Sequence, residues 1–316
     1  MSDTIRYEIN SCLRSFNKGY RHFIRCTPVW VLPGSAFGLG CQEVWLKLEH
    51  LQTAGSFKAR GALWRLLSNA VPASGVLIAS GGNAGIASAA AARLLGVPCE
   101  VFLPEVSSQA KRERLHSLGA QVRVVGAAYA QAYAACVARQ LESGALMNHA
   151  YDQLEVVAGA GSLAAELEAQ QGLPDTFLVS VGGGGLIAGI AAHCQGRAKV
   201  VALEPRLAPT LFEARKAGHP VDVAVSGLAA DSLGAKRIGD IAWQVQHTAV
   251  HDALLLDDEA IRAAQLWLWR ELKLAVEPAA ALGLAALQTG QYQPRADEKV
   301  CLVLCGANMD VASLVV

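Results

Sequence analysis

Strand-like and helix-like pieces alternate along nearly the whole chain. Val44-Trp45-Leu46-Lys47-Leu48-Glu49 reads as an apolar strand, and a helical run continues through Ala62-Leu63-Trp64-Arg65-Leu66-Leu67. Val76-Leu77-Ile78-Ala79 is a second strand, leading through Ser80-Gly81-Gly82-Asn83 into an Ala-rich helix over 84–95. The pattern then predicts a strand over 99–104, a polar helix over 107–118, a strand over 122–126 and a helix over 130–141. Residues 148–161 read as irregular, with Ala158-Gly159-Ala160-Gly161-Ser162 opening a helix that runs to 171. Thr176-Phe177-Leu178-Val179-Ser180-Val181 is a buried strand that ends in four glycines and a helix from Leu186. A strand over 199–204, helices over 209–216, 257–272 and 278–287, and a last strand over 299–305 complete the pattern. Residues 1–25 read as a short helix and lead-in, and Thr27-Pro28-Val29 begins an extended segment. This alternation is the signature of an α/β fold, a parallel sheet wrapped by helices. There is no internal repeat or long linker, and no length is expected for an added regulatory domain.

Composition narrows the function classes. The 316 residues suffice for two lobes, and 53% apolar residues allow a large core. Lys+Arg and Asp+Glu balance at 27 each, which argues against a nucleic-acid or acidic-membrane partner. Met1-Ser2-Asp3-Thr4-Ile5-Arg6 contains no apolar signal core, and the apolar stretch 86–97 is short and broken by Arg93. No membrane span is expected. The eight cysteines are scattered without a CxxC or a zinc-type Cys–His spacing, so reduced thiols in a cytoplasm are expected.

The chemistry starts at Gly55-Ser56-Phe57-Lys58-Ala59-Arg60-Gly61. Lys58 falls just inside a helix N-terminus, where partial positive charge disfavours a cation. A lysine of lowered basicity is a nucleophile able to form a Schiff base. Alone, the same residue also fits a surface position on an amphipathic helix. Gly182, Gly183, Gly184 and Gly185 lie between a strand and a helix start, where backbone N–H groups and the helix dipole can hold an anion such as phosphate. A tight structural turn is the competing explanation. Gly183-x-Gly185-x-x-Ala188, with Glu204 ending the next strand, also fits a loose dinucleotide pattern, although it leaves Lys58 and Asn83 unexplained. Ser80-Gly81-Gly82-Asn83 repeats the strand–loop–helix geometry and reads equally as a carboxylate site or a helix cap. Cys305 ends the last strand, where ligands of open α/β sheets gather, and Cys301 four residues earlier reads as a buried hydrophobe on the same side.

Together these loops resemble the fold-type II pyridoxal-phosphate enzymes, specifically the serine/threonine dehydratase (threonine ammonia-lyase) family. The resemblance covers nearly the whole chain. It rests on Lys47-Leu48-Glu49-His50-Leu51-Gln52 with 55–62, on 80–85, on 180–189, on Val276-Glu277-Pro278 and on Cys305-Gly306-Ala307-Asn308. It implies a fold similar to the β subunit of tryptophan synthase: two open parallel-sheet domains with the cofactor between them. Residues 1–50 and 147–316 would form the large pyridoxal-phosphate domain, and 51–146 the small substrate-loop domain.

The family roles carry over position by position. Lys58 would hold pyridoxal phosphate covalently and then act as base at Cα, and Phe57 would pack beside the ring. Gly182, Gly183, Gly184, Gly185 and Leu186 would bind the phosphate. Asn83 would contact the ring hydroxyl. Ser80, Gly81, Gly82, Asn83 and Ala84 would form the substrate loop. Cys305 would face the pyridine nitrogen, and a neutral partner there limits carbanion delocalisation and favours prompt loss of a β-leaving group. The cofactor phosphate would serve as acid to the departing hydroxyl.

Several positions depart from the family pattern. Ala54 stands where the family often has Thr, and Ala84 where it often has His. Gly81 occupies the position of a second catalytic Ser in serine racemases, so a base on the opposite face of Cα is missing. Elimination needs only Lys58. Glu204, the Ala208 carbonyl and Thr210 match the family's ion site, with Leu233 and Ala235 as further carbonyls. One carboxylate with neutral oxygens suits a monovalent cation such as K⁺ better than Mg²⁺. A surface acid is the competing reading of Glu204. The expected reaction is loss of water from a 3-hydroxy amino acid, L-threonine or L-serine, giving a 2-oxo acid and ammonia. Hydroxyaspartate, phenylserine or a catabolic intermediate as substrate, an NAD(P)-binding oxidoreductase and a non-catalytic amino-acid binder are the alternatives. The expected partner is a small amino acid, and a homodimer is compatible with the composition.

Overall fold

The computed structural model describes residues 1–315. Helix α1 (Ser2–Ser15) passes through a π-helical turn, Phe16–Tyr20, into β1 (Val29–Pro33), β2 (Glu43–Lys47) and α2 (Lys58–Leu67). The chain then builds β3 (Val76–Ala79), α3 (Asn83–Leu95), β4 (Cys99–Leu103), α4 (Gln109–Ser117), β5 (Gln121–Val124), α5 (Tyr129–Ser143) and β6 (Leu146–Met147). It continues as α6 (Leu154–Gln171), β7 (Thr176–Ser180), α7 (Gly185–Cys194), β8 (Lys199–Pro205) and α8 (Thr210–Ala217). The remainder is α9 (Asp240–Ala249), β9 (Asp252–Leu256), α10 (Asp258–Leu272), α11 (Pro278–Gln288) and β10 (Lys299–Val303).

The strands form two sheets. One has the order β1-β2-β10-β7-β8-β9, and the other β5-β4-β3-β6. Every pairing is parallel except β1 with β2. Strands β3, β4 and β7 are buried along their full length, which explains why they are mostly apolar without strict alternation; β3 is apolar throughout, and the buried Glu100 of β4 is paired with Arg123 and Arg139. The second sheet extends to Met147, which pairs with Leu77. The C-terminal ends of β3, β7 and β10 lead into the Ser80 loop, the glycine loop and Cys305 respectively, so parallel topology sends all three loops to strand ends where ligands gather.

Helix α6 begins at Leu154, four residues before the expected start. Its glycines are helical contact points rather than loop residues. A Cβ on Gly159 would lie 2.5 Å from Gly61 Cα, and one on Gly161 would lie 2.7 Å from the Gly189 carbonyl. Helices α2, α6 and α7 therefore approach at glycine. Strand β2 stops at Lys47, because Glu49–Leu51 turns into a 3-10 helix. Helix α4 starts at Gln109, where Ser108 accepts from the Lys111 N–H as cap. Strand β10 stops at Val303, so Cys305 lies in the following turn and strand alternation does not relate it to Cys301; both are buried. Helix α9 and edge strand β9 have no counterpart in the sequence pattern.

The start of α2 is fixed from two sides. Ser56 bridges to Gly306, and the Phe57 N–H donates to the Cys305 carbonyl at 3.0 Å. Gly55 has φ +72°, and a Cβ there would lie 2.5 Å from Asn308 Oδ1, so only glycine fits this turn. Beneath it, fully buried Arg60 donates to both Glu49 oxygens at 2.7 and 2.8 Å and to both Glu166 oxygens at 2.9 and 3.1 Å. Lys47 joins Glu166 at 2.6 Å. Removing Arg60 would leave buried Glu49 without an ion-pair partner and Glu166 with Lys47 alone, and such a break costs about 3–5 kcal/mol. Arg60→Ala is accordingly expected to lower unfolding stability by that amount, read by chemical denaturation of the purified protein.

Candidate active site

Lys58 is the first residue of α2, and its Nζ donates to the Ala150 carbonyl at 2.6 Å. It also sits 4.9 Å from the Phe57 ring centroid. Burial lowers its pKa from 10.5 to about 8, against the opposing pull of Cys305 and Glu277. The reduced basicity inferred from sequence is therefore present, but desolvation is its main cause rather than the helix dipole.

The glycine loop lies against this same segment. A Cβ on Gly183 would fall 2.2 Å from Tyr151 Cγ, and one on Gly185 would fall 2.7 Å from the Tyr151 carbonyl. Gly184 has φ +86° and would meet Ala242 at 2.4 Å. The glycines are thus required in part by close protein packing, which sequence reasoning attributed to an anion or to a turn. Gly184 is the N-cap of α7 and supplies no side chain, so the first-turn N–H groups lack a side-chain cap. Those donors are what an anion would use.

Asn83 opens α3 behind Gly82, and neither it nor Ser80 caps the helix through its side chain. This removes the capping explanation for the Ser80 loop. Asn83 Nδ2 instead donates to Glu277 at 2.8 and 3.1 Å, while Asn83 Oδ1 accepts from Asn308 at 2.6 Å. Glu277 is buried and precedes α11; burial raises its carboxyl to about 7 despite the Asn83 hydrogen bond and nearby Lys58. Cys305 is buried beside it. Burial pushes its thiol well above the ordinary value, with Glu277 adding to the effect, so the thiol is protonated at neutral pH. Gly81, Gly82 and Ala84 line the same turn, with Gly81 against Leu103 and Gly82 facing the Asp231 carbonyl. A neighbouring cleft runs from Gly82 and Asn83 past Lys111, Asp231, Arg262 and Glu277.

Glu204 is fully buried, which overturns the reading of a surface acid. Its oxygens accept from the Leu211 and Phe212 N–H groups at 2.7 and 2.8 Å and from Thr210 at 3.0 Å. The same Thr210 hydroxyl lies 2.5 Å from the Gly182 carbonyl and shares its single proton between the two oxygens, tying this acid to the glycine loop. Ala208 is buried in the turn before α8. A carboxylate used to hold the first turn of α8 is poorly available to a ribose, which weakens the dinucleotide reading.

Residues 20–306 match the family described as pyridoxal-phosphate dependent enzyme. The chain belongs to that family. It is 38% identical to an L-threonine ammonia-lyase of Geobacter sulfurreducens, over 86% of this chain and 68% of the relative. A phenylserine dehydratase of Ralstonia pickettii is 32% identical, over 98% of this chain and 96% of its own length. Among solved structures, maize serine racemase superposes with a TM-score of 0.90 at 29% identity, covering 98% of this chain and 95% of that one. The fold-type II architecture expected from the sequence is thereby established.

The site's residues fit the cofactor that the family implies. An amine of lowered pKa suits a carbonyl partner, uncapped N–H groups at α7 suit a phosphate, and a protonated thiol suits an uncharged ring nitrogen. The sequence carries no sign that Tyr151 and Ala150 belong to the site, and it presents Glu277 and Asn308 only as members of motifs. Glu277 before Pro278 looks like a helix start in sequence, and nothing near Tyr151 signals that it packs on the glycine loop. Because a lysine amine gains its nucleophilic form as pH rises through its pKa, half of Lys58 should be neutral near pH 8 rather than 10.5. Competitive amine labelling of the apoprotein across pH 6–11 should show that inflection at Lys58.

Proposed function

We propose that this enzyme removes water from a small 3-hydroxy amino acid, L-threonine or L-serine first, to give a 2-oxo acid and ammonia. The reading is carried by Lys58, a partly buried amine of pKa about 8 that bonds the Ala150 carbonyl and feels the nearby Cys305 and Glu277. The dehydratase relatives support the class of reaction. The bound cofactor supplies a sink for the electron pair left when Cα loses its proton. Lys58 would anchor that cofactor, and its amine would take the Cα proton of a bound substrate. Gly182, Gly183, Gly184, Gly185 and Leu186 would hold the phosphate, Phe57 would pack beside the ring, and Asn83 would donate to the ring oxygen. Cys305 would offer the ring nitrogen a neutral thiol. Ser80, Gly81, Gly82, Asn83 and Ala84 would receive the substrate carboxylate.

A bulkier substrate such as phenylserine is the second reading, favoured by the end-to-end match to a phenylserine dehydratase. The proposal also includes a monovalent ion on Glu204, the Ala208 carbonyl and Thr210. Glu204 already accepts two backbone N–H bonds and shares the Thr210 proton with the Gly182 carbonyl, leaving about one or two of its roughly four lone-pair sites for an ion. Among the described residues no three His, Cys, Asp or Glu side chains converge as a metal cluster, so the ion would rely on neutral oxygens. We further assign residues 51–146 to the small domain and 1–50 with 147–316 to the large one. The assembly proposed is a homodimer in a reducing cytoplasm; all eight cysteines are free thiols, and no described helix is long and apolar enough to cross a membrane.

Ammonia release measured over threonine, serine, hydroxyaspartate and phenylserine should rank the first two highest, and phenylserine ranking first would replace the reading. Lys58→Ala should abolish turnover while leaving the fold intact; near-normal activity would sink the mechanism. Gly81→Ser should add slow racemisation, detected as D-amino acid by chiral chromatography. The new Cβ would lie 2.8 Å from Leu103 Cδ2, a flexible side chain that can move aside.

A further inference from the structure

Glu277 has no role in the reading above, yet it is built into the site from several directions. Its carboxylate accepts from Asn83 at 2.8 and 3.1 Å and is faced by the Asn308 backbone N–H. Its own N–H donates to the Gly306 carbonyl at 3.1 Å. A Cβ on Gly306 would lie 2.3 Å from Glu277 Oε1, so the glycine after Cys305 makes room for this carboxylate. The acid is 3% exposed. A carboxylate kept this far from water without a direct ion pair needs its hydrogen bonds, and a site built around it is costly unless the group is used.

The consequence falls on Asn83. Its carbonyl oxygen accepts from Asn308 Nδ2, which also donates to the Ala54 carbonyl at 2.8 Å. Its amide nitrogen points at a carboxylate. Turning the amide over would set two acceptors against each other at Glu277 and two donors at Asn308, so the orientation is locked. With one hydrogen shared between the two Glu277 oxygens, the second N–H of Asn83 is left for a ligand, while its carbonyl oxygen, engaged by Asn308, retains a single lone pair.

We propose that Glu277 is a positioning residue: it locks the Asn83 amide so that the N–H of Asn83 is presented to the cofactor in one fixed direction. This rests on the assignment of Asn83 to the ring oxygen. A donor of fixed direction favours an ionised ring oxygen over a protonated one, because hydrogen bonds to a charged acceptor are the stronger. The lock depends on Glu277 being ionised. Lys58, Asp231 and Cys305 are the titratable groups facing it, and with burial they place its titration near pH 7. As pH falls through that value a protonated Glu277 can donate as well as accept, and Asn83 is free to turn.

The test measures pyridoxal-phosphate affinity of the apoprotein, by absorbance titration, for wild type, Glu277→Gln, Asn83→Ala and the double variant between pH 6 and 9. Glu277→Gln keeps the shape and removes the charge, and thermal melting verifies the fold. Loss of a hydrogen bond to a charged group predicts about tenfold to a hundredfold weaker binding for each single variant at pH 8. The double variant should be no weaker than Asn83→Ala, since Glu277 acts through Asn83. Wild-type affinity should fall below pH 7, and that limb should vanish in Glu277→Gln. Additive losses, or a Glu277→Gln protein with wild-type affinity and pH profile, would overturn the role of Glu277 alone. Unchanged affinity in Asn83→Ala would overturn the assignment of Asn83 and the inference with it. If Glu277→Gln fails to fold, the same comparison with Glu277→Asp, whose shorter carboxylate retains charge but loses reach, carries the same two outcomes.

Discussion

The organising interaction is the double clamp on Arg60. One guanidinium, fully buried, bonds four carboxylate oxygens from Glu49 and Glu166. Burial alone would weaken the cation, but the two acids hold it charged; burial likewise would raise the Glu166 carboxyl, and Arg60 with Lys47 keeps it below its ordinary value. Glu49 follows β2, Glu166 belongs to α6, and Arg60 lies two residues beyond Lys58. The clamp therefore fixes where α2 begins relative to both neighbours. Buried ion pairs add little net stability over apolar packing, but they tolerate few alternative geometries. Here that geometry places the reactive amine.

Desolvation then does most of the chemical tuning. The same dry region lowers Lys58 to about 8, raises Glu277 to about 7 and keeps the Cys305 thiol protonated. Burial penalises whichever form carries charge, so a base becomes less basic and an acid less acidic. The result is an amine ready to act as nucleophile and base near neutral pH, next to a carboxyl and a thiol that burial keeps from ionising easily. In the proposed reaction that balance would favour elimination.

Glycine serves two purposes in this fold. At 159, 161, 61 and 189 it lets α2, α6 and α7 meet closely, since a methyl group there would strike backbone. At 183 and 185 it admits Tyr151 and its backbone against the loop, while leaving uncapped N–H groups at α7. Packing and anion binding thus draw on the same residues, and a run of glycines in the sequence does not separate the two demands.

The sequence by itself determined the α/β alternation, the lysine at a helix start, the glycine loop after β7 and the turn after β10. These are local: each follows from a short apolar run and the residues that end it. It misplaced the start of α6, because Gly159 and Gly161 look like loop residues until α2 and α7 are packed against them. It passed over Tyr151 as part of the site and showed Glu277 and Asn308 only within motifs, without individual roles. Their roles come from partners as far as 254 positions away in the chain. It also left Glu204 open between surface acid and ion site, whereas burial and the α8 N–H groups show a structural anchor beside the glycine loop. Only tertiary structure decides which polar groups lose water and which neighbours replace it, and that exchange sets both the pKa values and the direction in which Asn83 can donate.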